Sequence, residues 1–258
     1  MVGVWYILHY FVLSGRQKVV LPPLHRVWTE SFWGWGNEVR GDLWEALLVT
    51  SQLSIIGLVI AIIYGIILAL LMNVSKISER ALFPWAVVLQ TLPILALIPL
   101  IDVWFQSIDP WYFGFDADYK KKLIVCVLIA VFPIITNTFF GLKSAERNLH
   151  DMMTLHRANR VIRAWKLEFP AAMPAVFTGF RIAAGLSVIG AIVAEFLFAR
   201  GGIGIGNSIR LYNGLARYDD LLATIIVSSI LGILVFWVFG FFGWVVTRHW
   251  HASAVDRA

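Results

Sequence analysis

The chain has 258 residues, 59% of them hydrophobic and only 14% charged, with a formal net charge of +5 and a mean hydropathy of +0.77. Soluble domains carry about 25% charged and about 45–50% apolar residues, so the composition points to an integral membrane protein and leaves no soluble domain to bind nucleic acid. At about 20 residues per transmembrane helix the chain holds five or six spans with loops, and its basic excess fits Lys and Arg gathered in cytoplasmic loops.

The N-terminal run MVGVWYILHYFVLSG lacks a cationic start and a small-residue cleavage site, so it reads as a first span, short or tilted, over Val2–Leu13. The stretch 14–42 contains Leu21-Pro22-Pro23 and several tryptophans, and is expected to lie along the membrane surface. Span two is Leu43–Met72, followed by a short polar turn with Lys76 and Arg80. Span three, Ala81–Phe105, carries Pro84, Pro93 and Pro99, which predict kinks and freed carbonyls facing protein or a cavity. A loop, 106–122, mixes acids, aromatics and Lys120–Lys122. Span four is Leu123–Phe140, with Pro133 and the polar patch Thr136-Asn137-Thr138.

Next comes a basic stretch, Gly141–Pro170, holding Lys143, Arg147, Arg157, Arg160, Arg163 and Lys166. A polar interruption this long, in so apolar a chain, is where another molecule docks. Asn148 to Asp151 supply helix-cap candidates, and Val161, Ile162, Trp165 and Leu167 follow a roughly helical repeat. Pro170 and Pro174 are expected to end that helix. From the residues alone, a basic loop helix resting on lipid headgroups fits equally well. Span five is Met173–Phe198, a loop 199–220 holds Gly202, Gly204 and Gly206, and span six is Leu221–Val246. Six spans, with the dense basic cluster inside, place both termini in the cytoplasm. The expected division is a first span and interfacial linker (1–42), a transmembrane core (43–247, with the basic loop at about 141–172) and a cytoplasmic tail (248–258).

Here the residues carry a resemblance. Permeases of ABC importers share a cytoplasmic signature: Glu-Ala-Ala, three residues, Gly, nine residues, Ile, one residue, Leu-Pro. Asp151-Met152-Met153 falls on Glu-Ala-Ala, Arg157 on Gly, Leu167 on Ile and Phe169-Pro170 on Leu-Pro. The run FPAAMPAVFTGFRIAAGLSVIGAIVAEFL resembles the helix that follows this signature in the nitrate/sulfonate/taurine branch, and VIGAIVAEF leans toward its pyrimidine-precursor and riboflavin members. Leu21-Pro22-Pro23, the proline-rich PILALIPLIDVWF and the loop GGIGIGNSI agree with that branch, so the resemblance covers about residues 20–247.

The resemblance implies an all-α polytopic fold of about six spans, the type I ABC importer permease fold. It implies a homodimer in the inner membrane, served by ABC ATPase subunits and a soluble substrate-binding protein. The signature would be a coupling helix docked on the ATPase, with Asp151, Met152, Met153, Arg157, Arg160, Phe169 and Pro170 as its contacts. Arg157 departs from the family glycine. Either the turn is straighter here, or the cation makes its own contact with an acidic partner residue.

Candidate pathway or gate residues are Glu195, Arg181, Asn137 and Gln90. Intramembrane charges are functional candidates by default. Arg181 and Glu195 lie fourteen residues apart, within about 40° on one helix face but about 21 Å apart along it, too far to pair. Arg181 can also snorkel to the interface, and small polar groups also serve as glue between helices. No catalytic set, cofactor or metal is expected. The glycine run joins two membrane helices and so is no nucleotide fingerprint, no phosphate-binding Gly-Lys-Ser/Thr loop occurs, the histidines are scattered, and the lone Cys126 forms no framework. Two rivals remain: a secondary carrier driven by an ion gradient, with Glu195 protonatable, and an intramembrane enzyme. No inverted repeat supports the first, and no convergent side-chain set supports the second.

Overall fold

A computed structural model describes residues 2–34, 36–107, 116–198 and 202–248. All described elements are helical: α1 (2–12), α2 (Arg16–Val20), α3 (24–34), α4 (Gly36–Val74), α5 (Lys76–Thr91), α6 (Ile94–Ser107), α7 (Ala117–Leu142), α8 (Arg147–Leu155), α9 (160–168), α10 (Phe169–Leu197), α11 (Ile205–Gly214) and α12 (Tyr218–Thr247). Arg200, Gly201, residues 108–115 of the 106–122 loop and Arg257 lie outside the described residues.

Four helical runs are long and apolar enough to cross a membrane: Asp42–Val74, Ala117–Leu142, Arg160–Leu197 and Tyr218–Thr247. α5 and α6 meet at a 100° bend. Pro93 sits at the break, where it has no N–H to continue the helix. Two ion pairs set the ends of this bent pair beside the two ends of α7. At one end Lys143 Nζ meets Glu79 Oε2 at 2.6 Å, and at the other Lys121 Nζ meets Asp102 Oδ1 at 2.6 Å. The 22 residue steps from Lys121 to Lys143, the cap of α7, rise about 33 Å, a full hydrocarbon thickness.

The described residues thus supply four candidate spans, or five with the bent pair, where six were expected. Residues 2–12 rise only about 16 Å and are no full span. α1 folds back on the Leu-Pro-Pro turn, where Trp5 Nε1 donates to the Pro22 carbonyl at 3.0 Å. α3 docks on the start of α12: Ser31 donates to Asp220 at 2.9 Å, Arg26 pairs with Asp219 at 3.3 Å, and Val27 packs with Leu43, Tyr212 and Ala223. α3 therefore sits at the opposite end of α12 from Thr247.

α7 is the centre of the bundle, buried by α4 on one side and α10 on the other. Small residues make this possible, because apolar side chains gain nothing from leaving lipid and close packing must hold the helices. Gly179 lies against Asn137 and Pro133, Gly141 against Ala172, and Gly190 against Cys126. The Cys126 thiol donates to the Ser187 carbonyl at 3.2 Å.

Candidate functional site

The basic stretch leaves the bundle as a compact excursion between α7 and α10. α8 has no buried residue, and Met152, Leu155, Val161, Ile162 and Trp165 are exposed large apolar side chains. Asp151, Arg157 and Arg160 are exposed as well, and Met153, Phe169 and Pro170 are half-buried. Arginine and methionine suit a docking surface. Phe169 packs under Trp165, with ring centroids 5.8 Å apart, and joins the Leu142–Ala172–Val176 cluster.

The turn after α8 resolves the Arg157 alternatives. Ala158 N–H donates to the Met153 carbonyl at 3.0 Å, and Arg157 N–H to that of Thr154 at 3.0 Å. This is the hydrogen-bond pair of a Schellman C-cap, whose C′ residue is left-handed and is usually glycine. Arg157 occupies that position with φ +50°. The turn is not straightened; the arginine adopts the conformation that glycine takes freely. Left-handed backbone costs a non-glycine residue about 1 kcal/mol, so Arg157→Gly should stabilise the α8–α9 turn by up to about that amount. Hydrogen exchange at the amides of position 157 and Ala158 should slow in that variant; unchanged or faster exchange would contradict the strain.

Asn159 then caps α9, its Oδ1 accepting from Ile162 N–H at 2.8 Å. Pro170 and Pro174 do not end the helix as expected. The segment Ala164–Glu168 is π-wound, Pro170 falls in the first turn of α10, and the run Arg160–Leu197 is helical throughout. A π-turn and an early helical position both tolerate a missing N–H. Two ties brace the base: Asn73 Nδ2 to Glu168 Oε2 at 3.0 Å, and Lys143 to Glu79. α9 thus runs on into a membrane helix without a break.

The pathway candidates are not brought together. Glu195 is 1% exposed. Its two oxygens share the Thr50 hydroxyl at 2.9 and 2.8 Å, and Oε2 accepts from Gly206 N–H at 3.0 Å. Thr50 Oγ1 in turn accepts from Ile205 N–H at 2.9 Å. A carboxylate at a helix N-terminus meets the open N–H groups and the positive end of the dipole. Glu195 therefore clasps α11 and the glycine loop to α10, with α4 contributing Thr50. Thr50 was not singled out from sequence; its signal is the small polar patch Thr50-Ser51-Gln52 at the head of an apolar helical run.

Arg181 lies on α10 against α12, its Cζ 4.0 Å from the Phe236 ring centroid, with Gly240 leaving room for it. Its Nε is buried without a hydrogen-bond partner. Asn137 donates within its own helix, to the Pro133 carbonyl at 2.8 Å, beneath Gly179. Gln90 is exposed at the α5–α6 break and lines a cavity of about 310 Å³ with residues of α6, α7 and α10. Among the described residues no group of three or more His, Cys, Asp or Glu side chains could hold a metal.

Comparison with known proteins agrees with this architecture. The chain is 38% identical over 202 residues to the formylaminopyrimidine transport permease protein ThiX of Halalkalibacterium halodurans, covering 76% of this chain and 75% of that protein. It is 29% identical over 247 residues to the nitrate import permease protein NrtB of Leptolyngbya laminosa, covering 93% and 82%. It is 31% identical over 201 residues to the putative aliphatic sulfonates transport permease protein SsuC of Escherichia coli, covering 78% and 72%. Residues 61–250 match the description of the binding-protein-dependent transport system inner membrane component, so the chain belongs to that family, as the permease subunit of an ABC importer.

Proposed function

We propose that two copies of this chain form the membrane pathway of an importer that brings a small pyrimidine-type solute into the cell, with ATP hydrolysed on partner ATPases that dock on residues 147–166. A soluble binding protein delivers the solute to the opposite face. The observation that carries the coupling role is the continuous helix Arg160–Leu197, which joins an exposed, amphipathic excursion to the best-packed seam of the bundle. A push on α8 and α9 moves α10 as a rigid body, and α7 must follow through the small-residue seam. The same orientation puts the end of α12 in the cytoplasm and α3 at the outer face. The solute class follows from the likeness to ThiX. A secondary carrier finds no comparable support, because Glu195 is enclosed and already hydrogen-bonded.

Affinity purification from mild-detergent membranes tests the docking. The wild type is expected to bring down an ATPase subunit. The double variant Asp151→Ala/Arg157→Ala, at equal expression, should lose at least about nine-tenths of it, since interface truncations at anchors cost about 2 kcal/mol or more. Retention of the full amount would place the docking surface elsewhere, and a wild type that transports without any ATPase would sink the importer.

A further inference from the structure

We propose that the cavity at the α5–α6 break is a water-accessible station for the solute, selective for an uncharged, ring-sized molecule whose polar edge Gln90 reads. This rests on the importer reading and goes beyond it by assigning a site. The cavity sits at mid-membrane: its lining includes Ile129, Phe132 and Pro133 from the middle of α7 and Leu186 from the middle of α10. Gln90 is the one polar side chain among the lining residues, and none is charged.

That amide is exposed, and no hydrogen bond of the described residues involves it. An amide facing hydrocarbon has nothing to bond, which is costly. Irregular backbone at membrane depth is tolerated only against protein or a water-filled cavity. The break supplies such backbone: Pro93 has no N–H for the Leu89 carbonyl, and Pro133 none for that of Ile129. Leu89 and Ile129 both line the cavity. An aliphatic wall with one amide and about 310 Å³ of space fits a small planar ligand with donors and acceptors on one edge. It does not fit an anion, for which the lining offers no counter-charge; Arg181 is engaged with Phe236 on α12 instead.

Two measurements test this. In a Cys126→Ala background, Q90C should react with a water-soluble maleimide in membranes at least about 10-fold faster than V59C, whose parent residue lies exposed on α4. Equal, slow reaction would overturn the proposal. In proteoliposomes holding the full transporter, Gln90→Leu should cut uptake of radiolabelled formylaminopyrimidine about 10-fold while ATPase activity changes less than about twofold, and Gln90→Asn should restore part of it. Unchanged uptake in Gln90→Leu would overturn the reading of Gln90, and wild-type uptake of nitrate but not of formylaminopyrimidine would overturn the uncharged class. ATPase co-purification does not depend on Gln90, so failure of the importer reading is seen separately.

Discussion

Glu195→Ala is expected to lower the melting temperature of the detergent-solubilised protein by about 10 °C. The carboxylate is enclosed, and its removal strands two donors, the Thr50 hydroxyl and the Gly206 N–H. Each unsatisfied buried group costs about 1–3 kcal/mol, and about 2–4 °C accompanies each kcal/mol in a chain of this size. Glu195→Gln keeps one accepting oxygen and should fall between. Thr50→Val retains volume but leaves Ile205 N–H without its acceptor, so it should cost about half as much as Glu195→Ala. Thermal unfolding followed by size-exclusion chromatography reads all three. A melting temperature unmoved by Glu195→Ala would mean that the clasp does not hold the glycine loop.

Gly206→Ala should be comparably severe for a different reason. A Cβ there would overlap the Ile192 carbonyl and lie 2.7 Å from Phe196 N. Both are backbone atoms of α10 and cannot rotate away, so α11 must retreat and its bond to Glu195 opens. Overpacking of this kind costs about 1–3 kcal/mol, and the lost hydrogen bond adds to it. Because both substitutions remove the same Glu195–Gly206 contact, the double variant Glu195→Ala/Gly206→Ala should be less damaging than the sum of the two. Strict additivity in melting temperature would show that the two residues act independently. Gly204 belongs to the same device: it precedes α11 with φ +154°, and a Cβ on it would lie 2.5 Å from the Glu195 carboxyl carbon.

Much of this was legible in the chain itself. Composition and run length identify an all-helical membrane protein, because apolar runs of about 20 residues have no other stable home. The spacing from Asp151 to Pro170 resembles that of the family's coupling loop, and three prolines announce irregularity in the third span, although the helix breaks only at Pro93, with Pro84 and Pro99 inside helices. Hydropathy alone could not decide whether residues 2–12 cross the membrane, since an apolar segment folded on its own Leu-Pro-Pro turn has the same composition as a short span.

What only the tertiary structure decided concerns partners distant in sequence. Glu195 reads from sequence as an intramembrane charge with a gate in view, yet its partner Thr50 lies 145 positions away. Pro170 and Pro174 read as a helix stop, but a π-turn and packing against α7 carry the helix through. Arg157 reads as a departure from glycine, and the fold holds it in glycine's conformation because the flanking hydrogen bonds of the cap outweigh about 1 kcal/mol of backbone strain. The sequence by itself determined that long apolar helices enter a membrane and that one basic segment interrupts them, because those depend on local composition and backbone chemistry. Which polar groups are consumed inside the bundle, and which, like Gln90, remain open at mid-membrane, depends on helix packing that no local pattern encodes.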